Sequence, residues 1–164
     1  MGLFSSGSSA TRERKAERER QEAEATAAIA AHEIGHAIGM AAAGIRVHWV
    51  RLTATGGQAR GDDIDPEDIA AVDGYLVMTL AGWAAAAEWV HRHHGFSRSA
   101  ALAWAKNGSR GDWADVRAKA RYGSHTVRWY EREAQKLIRA NWRRIERYTR
   151  ELCRKGELPG SRFN

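Results

Sequence analysis

At residue 25 the chain passes from dense charge to alanine, and small or apolar side chains then run with few interruptions to residue 43. Gly44 closes the run, and glycine readily takes the left-handed backbone that ends a helix, so a helix is predicted over 25–43. Residues 45–54 are rich in valine, isoleucine, tryptophan and threonine and are followed by Gly56-Gly57, the pattern of a strand entering a turn. No second strand is clearly visible in the pattern. Pro66 suits a first helical turn, Glu67 and Asp68 suit the dipole there, and the apolar run beyond predicts a helix from 66 to 93, broken by Gly95. A shorter helix is expected at 99–106, a loop at 107–111, and another helix near Asp112. Val127, Tyr130, Ala134, Leu137, Ile138, Trp142, Ile145, Tyr148 and Leu152 recur at helical spacing among arginines, which predicts one long amphipathic helix over 126–152. The fold class is therefore mainly α (α+β), with a small β-hairpin or short sheet beside the helix of residues 25–43.

Ahead of this pattern, residues 5–10 read as a flexible leader and 12–24 as a solvated helix or disordered tail of mixed charge. Three segments follow: 1–24 flexible and charged, 25–160 a single domain, and 161–164 a C-terminal tail. The chain has 164 residues, 43% of them hydrophobic, enough for one packed core. The longest uncharged stretch near Gly74, residues 74–87, is shorter than the roughly 20 residues of a membrane-spanning helix, so a buried helix and no membrane contact are expected. With one cysteine, Cys153, the chain forms no internal disulfide and no Cys-rich zinc site. No apolar leader core precedes the domain, and a cytoplasmic location is the expectation.

The chemistry concentrates on His32, Glu33 and His36. Two histidines four residues apart on a helix share a face, so their ring nitrogens converge on one metal ion. Glu33 beside them is placed to act as general base toward a water in the metal's open position. The run 27–43 is weakly polar, and burying these three groups without partners is costly, which favours the metal reading over two satisfied core histidines. A catalytic zinc needs a third protein ligand. His48, Asp63, Asp65, Asp73, Glu88, the group His91, His93 and His94, and the pair Asp112 and Asp115 all remain candidates from composition alone.

The segment Ala31-His32-Glu33-Ile34-Gly35-His36-Ala37-Ile38 resembles the peptidase motif of FtsH, the ATP-dependent membrane protease family. Leu80-Ala81-Gly82-Trp83-Ala84-Ala85 resembles that family's glycine-alanine-rich helix, and Gly108-Ser109-Arg110-Gly111-Asp112-Trp113-Ala114-Asp115 its third-ligand segment. The segment from Leu152 to Gly160 is similar to its C-terminal part, so the likeness covers residues 27–160. The resemblance implies a helical zinc-metallopeptidase domain in which His32, His36 and Asp112 hold Zn2+ and Glu33 is catalytic. It also implies that the strand at 47–53 flanks the cleft as a surface for substrate pairing. The family's membrane anchor and ATPase module are absent here, as is a Gly-x-x-x-x-Gly-Lys loop. The expected activity is thus ATP-independent hydrolysis of flexible or unfolded polypeptide. Where the family carries an arginine and two glutamates, this chain has Trp83, Ala86 and Ala87.

Two rival readings follow from the same residues. One is a peptidase of another His-Glu-x-x-His class, with Asp115 or Glu88 as third ligand. The other is a non-catalytic basic domain that binds nucleic acid or protein, since Lys and Arg number 26 against 20 acids, giving a net charge of +6. Nucleic acid is the less favoured partner because Glu131, Glu133, Glu146 and Glu151 interleave with the arginines of residues 128–150 and imply a solvated, ion-paired face. The sequence leaves oligomeric state open.

Overall fold

The computed structural model describes residues 6–164, with side chains from residue 11 onward. Of the flexible leader expected at 5–10, residue 5 lies outside the described residues, and 6–10 are instead the first turns of α1. The elements, in order, are α1 (Ser6–Ala42), β1 (Val47–Thr53), β2 (Gly56–Gly61), α2 (Ile69–His93), α3 (Arg98–Gly108), α4 (Arg110–Lys119), α5 (Val127–Ala140), α6 (Trp142–Lys155) and β3 (Glu157–Pro159). Short 3-10 turns follow α4 and β3. The result is mainly helical with a small antiparallel sheet, as the hydrophobic pattern predicts.

The charged stretch 12–24 is the exposed first half of α1. Its residues are strong helix formers, and pairs one turn apart, Lys15 with Glu19 at 3.7 Å and Arg18 with Glu22 at 3.8 Å, add a few tenths of a kcal/mol each. The second half is buried against α2, where glycine makes the contact close. A Cβ on Gly35 would stand 2.5 Å from the Ala81 carbonyl oxygen, and one on Gly39 2.7 Å from Met78 Cα. Helix α2 is the hub, packed by α1, α3, α4 and α5, while α6 packs on α1. Although its uncharged stretch is short, α2 as a whole is long and apolar enough by length and composition to cross a membrane; 61% of its most apolar window is buried inside the molecule.

Several boundaries differ from the sequence expectation for identifiable reasons. The hairpin turn falls on Ala54 and Thr55, and Gly56 and Gly57 belong to β2. That strand, Gly-Gly-Gln-Ala-Arg-Gly, carries no apolar alternation and is recruited by pairing with β1 rather than by its own propensity. The sheet order is β2-β1-β3, so β1 is central with both edges occupied, and β2 and β3 form the edges. The 66–93 helix starts at Ile69, because Asp68 caps it by accepting from the Ala70 and Ala71 amides. The loop expected at 107–111 shrinks to Ser109, the joint between α3 and α4. The helix expected over 126–152 breaks at Asn141, whose side-chain amide donates to the Leu137 carbonyl at 3.0 Å and ends α5. The break lets α5 pack on α2 and α6 on α1, which one straight helix could not do. After α6, Gly156 at φ +79° turns the chain into β3. Residues 161–164 are built into the fold: Phe163 is buried, and the Asn164 amide pairs with both backbone groups of Val47 at 2.9 Å.

Asp73 on α2 ties down the connection into α5. It accepts from the Ser124 hydroxyl and the Tyr130 phenol, and from the Ser124 amide at 2.8 Å. Burial pushes its carboxyl up, but these hydrogen bonds outweigh burial and hold it below the ordinary value. An unfolded aspartate titrates near about 3.9, so this contribution is fully present above about pH 4 and is lost as pH falls through the depressed native value. Asp73→Ala should therefore lower stability to urea by about 2 kcal/mol at pH 7, with the gap to wild type narrowing as pH falls below about 4. Equal stabilities at pH 7 would show that the network does not anchor α5.

Candidate metal centre

His32 and His36 stand one turn apart on the buried half of α1, and Asp112 comes to them in the first turn of α4, where the helix dipole favours a carboxylate. His32 Nε2 lies 2.9 Å from His36 Nε2 and 3.1 Å from Asp112 Oδ2, and His36 Nε2 lies 3.5 Å from the same oxygen. An ion held tetrahedrally at about 2.1 Å from each donor would separate the donors by about 3.4 Å, so the spacing fits a zinc-sized ion. Among the described residues, this is the group of His, Cys, Asp and Glu side chains whose ligand atoms gather within 4.8 Å of one another.

The chemistry of the donors points the same way. His36 Nδ1 is 3.1 Å from the Met78 carbonyl oxygen, which only accepts, so Nδ1 carries the proton and Nε2 presents a lone pair. That lone pair faces His32 Nε2 and the Asp112 carboxylate, a gathering of acceptors that a shared proton or a metal ion satisfies. Asp112 and His36 are shifted in opposite directions by their proximity. Burial raises the Asp112 carboxyl, but hydrogen bonds to His32 and His36 outweigh it and hold Asp112 well below the usual carboxylate range. Burial lowers the His36 imidazole, yet the hydrogen bond and charge of Asp112, the charge of Glu33 and the Met78 carbonyl carry it above its ordinary value.

Glu33 is 8% exposed, roofed by β2. A Cβ on Gly57 would fall 2.5 Å from Glu33 Cγ, so a glycine at this point of β2 is what lets the strand close over the carboxylate. Burial raises the Glu33 carboxyl, only partly offset by His36 and His32 and by a hydrogen bond from the Ala59 amide. Beside the site a cleft of about 450 Å³ opens, lined by His36, Ala59, Tyr75, Thr79, Asp112 and Lys119 among others.

The remaining sequence candidates lie elsewhere. Asp115 pairs with Lys119 at 2.8 Å and accepts from the Tyr75 phenol at 2.7 Å. Glu88 is held between Arg92 at 2.5 Å and Arg98 at 2.9 Å. His48 pairs with Asp62, Asp63 with Arg60, and Asp65 caps the Glu67 amide. His91 meets the Phe96 carbonyl, His93 meets Glu146, and His94 meets Glu24. Asp73 serves the α5 anchor described above. The tryptophans are chiefly core residues, with Trp83, Trp89, Trp113 and Trp142 buried.

Sequence reasoning missed the groups that hold the histidines. Ser109 Oγ lies 3.4 Å from His32 Nδ1, and the serine stands inside the segment that supplies Asp112. The Met78 carbonyl has no sequence signal, since every residue offers one. Gly82 is the floor of the site, because a Cβ there would stand 2.5 Å from His36 Nε2 and 2.9 Å from His32 Nε2. In comparison with known proteins, no family model and no curated protein matches this chain.

Gly82→Ala should displace both rings and weaken zinc binding by about tenfold to a hundredfold, the range typical of groups that orient metal ligands. Competition with a chromophoric chelator measures this, with circular dichroism confirming an intact fold; unchanged affinity would show that Gly82 does not shape the site.

Proposed function

We propose that this chain is an ATP-independent zinc metallopeptidase that hydrolyses peptide bonds in flexible or unfolded polypeptide. The observation that carries the reading is the meeting of His32 and His36 with Asp112, from an element far along the chain, next to a buried glutamate and an open cleft. The FtsH-like motifs point to the same residues. In this reading His32, His36 and Asp112 hold the ion, with the Met78 carbonyl and Ser109 orienting the rings. Zinc, when bound, supplies Lewis acidity toward a carbonyl and lowers the pKa of water to about 7.

The remaining work falls to the protein's own groups. Glu33 takes a proton from the attacking water as the new carbon–oxygen bond forms, and returns it to the amine as the carbon–nitrogen bond breaks. The strand expected to pair with substrate, β1, is excluded from that role because both its edges are taken. The free edge of β2, whose Ala59, Arg60 and Gly61 line the cleft, is the better place for an extended peptide to add as a strand. An extended segment fits such a cleft, which accords with flexible or unfolded substrate.

Elemental analysis of purified wild type should find one zinc per chain, retained in Glu33→Gln and mostly lost in Asp112→Ala. Cleavage of an unfolded casein should fall about a hundredfold or more in Glu33→Gln. A metal-free and inactive wild type would overturn the reading, and full zinc in Asp112→Ala would overturn the assignment of the third ligand.

A further inference from the structure

The outer face of α6 bears Arg143, Arg147, Arg150 and Arg154, all exposed, at spacings of four, three and four residues. At 100° per residue these four positions fall within an arc of about 60°, opposite the buried face of Trp142, Ile145, Tyr148, Thr149 and Leu152. In sequence the helix interleaves two glutamates with five arginines, and in space both glutamates are drawn off the arginine line. Glu146 sits to the side, shared between His93 at 3.2 Å and Arg150 at 3.0 Å. Glu151, with its side chain 12% exposed, is held between Lys155 at 2.7 Å and Arg162 at 2.8 Å. No acid lies on the arginine line itself. Among the described residues neither Arg143 nor Arg154 makes an ion pair, although the charge of Arg154 is felt by Glu151 one turn away; Arg147 lies over Tyr148, and Arg150 reaches Glu146 while its side chain stays 68% exposed.

We propose that this line is a binding surface for the phosphodiester backbone of a nucleic acid, gripped without regard to sequence. Successive arginines rise about 4.5–6 Å along the helix axis, so four guanidinium groups stand in one row for a chain of phosphates to follow. The arginine line presents no aromatic side chain on which a base could stack, so contacts to phosphate alone are expected and base readout is not. A single line of charge fits a linear polyphosphate better than the plane of an anionic bilayer. The surface is independent of the metal centre and of the peptidase reading.

The test is fluorescence anisotropy with a labelled 20-base-pair duplex of random sequence, on wild type, on Arg143→Gln/Arg147→Gln/Arg150→Gln/Arg154→Gln, and on Arg12→Gln/Arg14→Gln/Arg18→Gln/Arg20→Gln. Both variants lose the same charge, but the second loses it from the exposed arm of α1. Four phosphate contacts predict a slope of about −3.6 in log affinity against log salt for wild type, or about 150-fold between 50 and 200 mM. The α6 variant should lose nearly all binding and most of the salt slope, and the α1 variant should keep both. No binding by wild type at 50 mM salt, or equal losses in the two variants, would overturn the proposal. Tight binding to vesicles containing phosphatidylserine, with none to the duplex, would assign the line to a membrane surface and overturn it as well.

Discussion

The close approach of α1 and α2 is the constraint from which the rest of the structure follows. Gly35 and Gly39 let the backbone of α2 come within van der Waals distance of α1, and Gly82 leaves room for the two imidazoles that meet Asp112 of α4. Because the helices are this close, the Met78 carbonyl reaches His36 and fixes its tautomer. A side chain at any of these glycines would push the helices apart or fill the metal position. The alanine-rich composition of both segments is therefore a packing requirement: small residues give up burial of large apolar groups in exchange for backbone proximity. The large side chains, among them Leu76, Leu80, Tyr130, Ile138 and Ile145, are fully buried and fill the rest of the core.

Charge is distributed in three distinct ways over the same chain. In the first half of α1 it is mixed and exposed, and it supports a helix that has no core of its own. At the candidate metal site acids and imidazoles share one small, partly buried volume, where Glu33 and His36 are pushed up and Asp112 is held down. On α5 and α6 the acids are drawn sideways into pairs such as Glu133 with Lys136 and Glu151 with Lys155, and the arginines are left outward. The net charge of the sequence alone distinguishes none of these.

What was legible in the sequence and what was not divides along physical lines. The helices and the pairing of His32 with His36 are consequences of local spacing, and local spacing is written in the chain. The meeting of those histidines with Asp112 depends on a segment 76 residues beyond His36, and only the likeness of the Gly108 to Asp115 segment to a known motif picked it from its rivals. Strand β2 was invisible because its polar, glycine-rich residues are chosen for closeness to Glu33 rather than for strand propensity. The break at Asn141 was hidden because the apolar period runs through it without a change of phase; the two halves pack on different helices. The loop expected around Ser109 was read from composition, yet helix packing tolerates its glycines and leaves one serine as the joint.

The central claim is that the α1–α2 seam presents two imidazoles, and α4 one carboxylate, to a single ion. X-ray absorption at the zinc edge on protein loaded with one equivalent tests it directly. The account predicts a shell of nitrogen and oxygen at about 2.0–2.1 Å with outer-shell scattering from two imidazole rings. A shell containing sulfur, or one with the signature of a single ring or none, would contradict it.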